Sequence, residues 1–329
     1  MKQAKAIAVT GIGKVEFVPV ELPDLEPGEV LIRTEASAVS RGTELRCLAG
    51  KQPESLPFPF IPGYSLVGIV EEVCGDSPVA VGTRVFSTGT KRASINLEWG
   101  SHLSYAISNA NEVVPVPDGC PPKLASFAKM AAIALRGTHV AEPRPSDCVV
   151  VVGLGPIGSL SQRLFHKAGN NVFGLDQESI RVDIARKAGL AADVVAGTID
   201  QAVQAHFGHG ADIVVDVTGV PSVLPFSLRA TKDVPWGTND ARGSKLVIQG
   251  SYPDQFSLPY QEAFRKELHI LMPRDNTPTD LADAVKFIAD GTLKVEDFIS
   301  WYGPPSNAAE AYNLLRSDRS IMTIAFDWS

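Results

Sequence analysis

Cysteine is scarce: Cys47, Cys74, Cys120 and Cys148 are the chain's four, and each stands alone. That excludes the density of a disulfide scaffold and the paired spacing of a structural zinc site, and leaves isolated, reduced thiols. Lysine and arginine number 30 against 37 acidic residues, a formal net charge of −7, and they form no long run. General nucleic-acid binding needs clustered cations, so no nucleic acid is expected as a partner. No apolar stretch approaches the roughly 20 residues that span a bilayer. The start, Met1 to Thr10, lacks the apolar core of a signal peptide. The expectation is a cytoplasmic protein with no membrane partner.

What is present is an ordinary soluble composition, 44% apolar and 20% charged, over 329 residues. That length exceeds the usual single core of about 100–200 residues, so two domains are expected. From Ala6 to about Ser108, short alternating segments such as Glu29–Thr34 and Leu66–Val73 are punctuated by glycine and proline, which reads as a β-rich first domain. Pro115–Pro122 is a turn-rich connector, and Leu124 to Val140, rich in alanine, reads as helix. From Val149 onward strands alternate with helices, the pattern of a parallel sheet with helical crossovers. A polar loop from Lys232 to Gly243, a strand from Phe264 to Met272, helices at Thr279–Asp290 and Asn307–Ser317 and a final strand at Ile321–Phe326 complete the reading.

The chain is organised around Cys148 to Asp176. Four consecutive valines, Val149–Val152, read as a strand covered on both faces. Gly153-Leu154-Gly155-Pro156-Ile157-Gly158 follows, and Ile157, Leu160, Leu164 and Ala168 recur at helical spacing. A second strand, Asn171–Leu175, delivers Asp176. Gly153 permits the tight turn, Gly155 lets a pyrophosphate approach the main chain, and Gly158 allows close contact between helix and strand. Glycines so placed, with an acid about 20 residues on, point to dinucleotide binding. Asp176 would accept hydrogen bonds from ribose hydroxyls and repel a 2′-phosphate. Gln177-Glu178 adds negative charge, which favours NAD, and Arg181 is the one residue nearby able to fold toward a phosphate. Thr218, Gly250 and Ser251 stand at the carboxyl ends of later parallel strands, where ligands of such sheets gather.

Three further segments carry a resemblance. Pro59-Phe-Ile-Pro-Gly63-Tyr-Ser-Leu-Val-Gly68-Ile-Val70, Trp99-Gly-Ser-His-Leu-Ser-Tyr105 and Ala308-Ala-Glu-Ala-Tyr-Asn-Leu-Leu315 resemble segments of the medium-chain dehydrogenase/reductase superfamily, and the resemblance spans nearly the whole chain. The phrases Ser40-Arg-Gly-Thr-Glu44 and Pro62-Gly-Tyr-Ser65 are similar to the branch that includes bacteriochlorophyllide dehydrogenases. The resemblance implies a Rossmann-type doubly wound parallel α/β sheet at 131–266 and a β-rich, GroES-like catalytic domain at 1–130 and 267–329. It implies hydride transfer with NAD between an alcohol and a ketone in the cleft between domains. Gly250 and Ser251 would offer main-chain groups to the nicotinamide amide. Relatives commonly dimerise through the cofactor domain's edge strand, here Phe264–Met272, so a homodimer is the implied assembly.

The departures from the family pattern are informative. Zinc-dependent members ligate the metal through a Cys, the His of a G-H-E segment, and a Cys or Glu on the following helix. Here Arg41, or Ser40 after a one-residue slip, stands at the first position, Tyr64 at the second and Lys129 at the third. Ammonium and guanidinium groups cannot ligate zinc, so no metal is expected. The expectation is that Lys129, Tyr64 and Arg41 surround the vacated site, with Lys129 as acid/base and Tyr64 bonding the reacting oxygen, while the resemblance implies that Thr43 relays the alcohol proton through the cofactor ribose. The cations could instead bind an anionic group on a small-molecule substrate, or point to water, or pair with Glu44 or Glu71. A zinc-free quinone or enone reductase and a non-catalytic NAD-binding protein are the alternative functions. His102 and His139 read as structural.

Overall fold

Burial alternates or saturates along the early strands according to how many neighbours each strand has. In Glu29–Ala38 nearly every residue is buried, because this strand is central. It pairs antiparallel with Leu66–Cys74, Tyr105–Asn109 and the last strand, Thr323–Asp327. These belong to a seven-stranded sheet, and Lys2–Gly11 and Lys14–Leu22 form a hairpin in a second sheet of four strands. The computed structural model describes residues 1–52, 57–237, 242–252 and 255–329.

The chain divides into two compact units, Met1–Lys129 with Leu281–Ser329, and Met130–Asp280. In the first, one apolar core gathers Ile32, Leu66, Val70 and Ile107 within the β-rich part. A second brings Ile7, Val9 and Phe60 together with Tyr312, Leu315 and Phe326 from the returning C-terminal segment. That return is why the unit is discontinuous in sequence.

The second unit holds a six-stranded parallel sheet in the order Ala191–Val194, Asn171–Asp176, Cys148–Val152, Ile213–Asp216, Lys245–Ile248, His269–Leu271. The valines of the central strand are at most 3% exposed, with Val149 and Val151 in one core and Val150 and Val152 in the other. A sheet covered on both faces needs apolar residues at every position, not every second one.

Four expectations need correction. The second division of the chain falls after Asp280 and not at 266, because His269–Leu271 pairs with Lys245–Ile248 and belongs to the parallel sheet. The strand expected from Phe264 to Met272 is only His269–Leu271, and Phe264 lies in the helix Tyr260–Arg265. The helix expected from Leu124 to Val140 is two, Pro122–Ala125 and Ala128–Ala141. Ala168 is exposed at the end of the helix Pro156–Lys167, whose inward face is completed by Phe165. Positions 238–241 of the polar loop lie outside the described residues. Among the described residues no helix is long and apolar enough to cross a membrane.

Candidate functional site

In the second unit the glycine turn joins a buried strand to the helix Pro156–Lys167. Gly153 has φ +92°, a conformation costly for any residue with a side chain. A Cβ on Gly158 would overlap the carbonyl oxygen of Gly153, so only glycine lets the helix start this close to the strand. A Cβ on Gly155, in contrast, would meet nothing within 4 Å, which leaves open space over the turn. Gly155 at the N-cap has no side chain to cap the helix, so among the described residues no cap bond takes the main-chain N–H groups of its first turn, around Ile157, at its positive end. Open space and free donors are what a pyrophosphate needs, and the turn fits one.

Asp176 ends the neighbouring strand, 6% exposed. Its carboxylate accepts from the main-chain N–H of Leu154 at 2.6 Å and of Glu178 at 2.9 Å, and pairs with Arg181 at 3.3 Å. The acid therefore braces the glycine turn from the adjacent strand. Arg181 is held by that acid, and Gln177 is exposed beside it.

Across the central strand, Asp216 and Thr218 close the strand Ile213–Asp216, and Gly250 and Ser251 follow Lys245–Ile248. Thr218 bonds Asp216 through both its N–H and its hydroxyl, at 2.9 and 2.7 Å. Asp216 and Tyr252, which donates to it at 2.5 Å, were not singled out from the sequence. The available signal was an acid ending the apolar run Ile213-Val-Val-Asp216. Elsewhere in this unit His139 bonds Asp280 at 2.7 Å, a structural task. Burial raises the Asp280 carboxyl, but hydrogen bonds from Thr277 and His139 outweigh it and hold the pKa below the usual value.

In the first unit the candidate catalytic residues gather unevenly. Tyr64 is buried, packs edge-on against Trp99 with ring centroids 5.2 Å apart, and donates its phenolic proton to Ser40 at 2.5 Å. Of the two residues considered for the first ligand position, it is Ser40 that meets Tyr64. The guanidinium of Arg41 donates to the main-chain carbonyls of Asp318 and Ile321, so Arg41 fastens the turn before the last strand. This corrects the expectation that Arg41 supplies positive charge beside Tyr64. Thr43 is half-buried in the first turn of the helix Arg41–Leu48.

Lys129, 9% exposed, lies in the first turn of the helix Ala128–Ala141. The Ser65 hydroxyl donates to the Ser126 carbonyl at 2.7 Å, tying the loop that carries Tyr64 to the segment just before Lys129. Glu44 and Glu71, the acids considered as partners for Arg41 and Lys129, bond other groups. Glu71 pairs with Arg33 at 2.8 Å and with Lys2 at 3.6 Å. Glu44 is 1% exposed and accepts from the Ser40 N–H at 2.8 Å, His102 at 3.0 Å and the Tyr312 phenol. His102 Nδ1 in turn shares a hydrogen bond with the Ser37 hydroxyl at 2.7 Å, and that hydroxyl accepts from the Trp328 indole at 2.9 Å. A buried, bonded network thus sets the start of the Arg41–Leu48 helix, and with it Ser40.

This donor set does not fit zinc. The positions the resemblance assigns to ligands carry two hydroxyls and an ammonium, not thiolate, imidazole or carboxylate. Among the described residues no group of three or more His, Cys, Asp and Glu side chains could hold a metal ion.

Two family models match, an alcohol dehydrogenase GroES-like domain over residues 26–118 and a zinc-binding dehydrogenase model over 156–290. The 2-desacetyl-2-hydroxyethyl bacteriochlorophyllide A dehydrogenase of Cereibacter sphaeroides is 24% identical over 98% of each chain. Among solved structures, a Sinorhizobium meliloti protein described as a zinc-binding dehydrogenase and bound to NADP is similar with a TM-score of 0.84. It is 20% identical, over 99% of this chain and all of that one (100%). An alcohol dehydrogenase from Escherichia coli complexed with NADH has a TM-score of 0.85 at 19% identity, over 99% and 100% of the two chains.

Proposed function

Because the chain belongs to the medium-chain dehydrogenase/reductase superfamily and is an oxidoreductase of that type, we propose that it interconverts a secondary alcohol and its ketone with NAD(H) and without a catalytic zinc. The observation that carries the reading is the Tyr64–Ser40 hydroxyl pair, formed by two residues at positions that the resemblance assigns to metal ligands in zinc-dependent relatives. The nicotinamide dinucleotide supplies or accepts the hydride. The chain's own residues then have three tasks.

The first is binding. The Gly153–Gly158 turn and the first turn of the helix after it hold the pyrophosphate, and Asp176 takes the adenosine ribose hydroxyls. A 2′-phosphate at Asp176 would bring two negative charges together, which favours NAD over NADP. The second task is polarising the reacting oxygen. The Tyr64 phenol can turn from Ser40 to that oxygen and donate to it, with Ser40 returning the bond when the site is empty. The third is moving the proton. Lys129 takes the alcohol proton in oxidation and returns it in reduction, with the Thr43 hydroxyl as relay.

Relatives named for alcohols and polyols support an alcohol substrate. The other use of Lys129, pairing with an anionic group on the substrate, concerns the same residue and is separated from acid/base work below. The test is metal analysis together with turnover over a panel of secondary alcohols and ketones. The expected result is chelator-insensitive turnover by protein containing no stoichiometric zinc. Stoichiometric zinc whose removal abolishes turnover would overturn the proposal.

A further inference from the structure

Asp216 has no exposed surface (0%), at the carboxyl end of a buried parallel strand. A carboxylate there is tolerable only when its lone pairs are filled. They are filled by four donors: the Thr218 N–H at 2.9 Å, the Thr218 hydroxyl at 2.7 Å, the Ser227 hydroxyl at 2.6 Å and the Tyr252 phenol at 2.5 Å. Thr218 and Ser227 belong to the chain just after the same strand. Tyr252 does not. It follows the neighbouring strand Lys245–Ile248, so its bond to Asp216 ties together two turns at adjacent strand ends.

Those turns have no slack. A Cβ on Gly250 would lie 2.7 Å from the N of Gly219 and 3.0 Å from the Tyr252 ring, and one on Gly219 would lie 2.9 Å from the Ser251 carbonyl oxygen. Phe256 packs against the Tyr252 ring, centroids 6.0 Å apart. Burial first, then the charge of Asp216, push the phenol's pKa far up, so Tyr252 remains a donor at any working pH.

The order of strands assigns this pair of turns to one half of a dinucleotide. The pyrophosphate turn follows the strand Cys148–Val152, and Asp176, on the adenosine side, ends the next strand in one direction. Ile213–Asp216 and Lys245–Ile248 lie in the other direction. A ligand extended across the carboxyl ends of the sheet therefore lays its nicotinamide half over Thr218, Gly219, Gly250 and Ser251.

We propose that Tyr252 is a positioning residue for the nicotinamide half of the cofactor, its hydroxyl holding the Gly250–Ser251 turn to Asp216 so that main-chain groups meet the ring in fixed places. The inference rests on the dinucleotide reading above. Its test compares NADH with ADP-ribose, which keeps the adenosine and both phosphates and lacks the nicotinamide.

In Tyr252→Phe the dissociation constant for NADH, followed by its fluorescence, should rise roughly tenfold, the usual scale for losing a hydrogen bond to a charged group. That for ADP-ribose, followed by calorimetry, should stay within about twofold of the unsubstituted protein. A purely structural role would move both constants together. Equal weakening of both ligands, or no change in either, overturns the role of Tyr252 and leaves the dinucleotide reading standing. Failure of the unsubstituted protein to bind either ligand overturns that reading and this inference with it.

Discussion

The phenolic oxygen of Tyr64 lies 2.5 Å from the hydroxyl oxygen of Ser40, and both residues are buried. If the phenol donates to the reacting oxygen, Tyr64→Phe removes one donor aimed at developing charge. Losses for such a donor run to about 10²–10³ in kcat, and a loss of that order is expected with NADH binding unchanged. Ser40→Ala leaves the phenol in place but removes its resting partner, and a smaller loss, about tenfold, is expected. Steady-state kinetics on the best ketone measures both. Unaltered kcat/KM in Tyr64→Phe would sink this assignment.

Lys129→Met separates the two uses of the ammonium. An acid/base Lys129 predicts a fall in kcat of about 10²–10⁴ and the loss of one limb of the pH–rate profile. An anion-binding Lys129 predicts a raised KM for substrates carrying an acidic group, with kcat retained. Turnover and substrate affinity both equal to those of the unsubstituted protein would count against either use.

The contrast between these residues shows what the sequence makes legible. The cofactor turn is readable because its demands are local. A buried strand, glycines at fixed offsets and an acid at the end of the next strand all lie within one continuous stretch, Cys148 to Asp176. The zinc-ligand positions are readable only through resemblance, and the partners that Ser40 and Arg41 take are set by residues far along the chain. Arg41 is drawn to carbonyls at Asp318 and Ile321, some 280 residues away. Tyr252 escaped notice for the same reason, since its meaning comes from Asp216, 36 residues earlier on another strand. The expected strand at Phe264–Met272 failed differently. Phe264 is exposed on the helix Tyr260–Arg265 and Ile270 on a short edge strand, and composition alone does not tell these from a buried strand.

The Asp176 carboxylate sets the expected cofactor preference. Direct titration should show NADH binding more tightly than NADPH. Asp176→Ser should narrow the gap by about tenfold or more, because it removes a charge from the place a 2′-phosphate would occupy. Some loss of affinity for NADH is expected too, since Asp176 also braces the Leu154 N–H. Tighter NADPH binding by the unsubstituted protein would contradict the preference.

Glu44 and Tyr312 join the helix Arg41–Leu48 to the C-terminal helix Ala308–Ser317 through one buried hydrogen bond. Burial first, then the Glu44 charge, hold the Tyr312 pKa well above its ordinary value. A phenol whose folded pKa is raised contributes stability that is fully present below the unfolded value of about 10 and is lost as pH rises through the folded value. Tyr312→Phe should cost about 1.5–3 kcal/mol at pH 7. Its stability should also decline less than that of the unsubstituted protein as pH rises above about 10. Urea unfolding at a series of pH values reads both effects, and parallel curves for the two proteins would remove Tyr312 as the source.

Among the described residues His269–Leu271 is the last strand of the parallel sheet, bonded on one side to Lys245–Ile248. An open strand edge is a template for another strand, and proteins that leave one uncovered usually guard it with charge or proline. Here Ile270 and Met272 are 42% and 59% exposed along the edge, and Phe264 and Tyr260 are 52% and 71% exposed on the helix before it. Apolar side chains beside an open edge favour pairing with a second copy, and the proposed assembly is a homodimer through this strand. Light scattering on the purified protein should then give twice the chain mass. Ile270→Lys places a charge on the edge and should shift the population toward single chains at micromolar concentration, with secondary structure by circular dichroism unchanged. A single-chain mass for the unsubstituted protein would refute the dimer outright, and a dimer indifferent to Ile270→Lys would move the interface elsewhere.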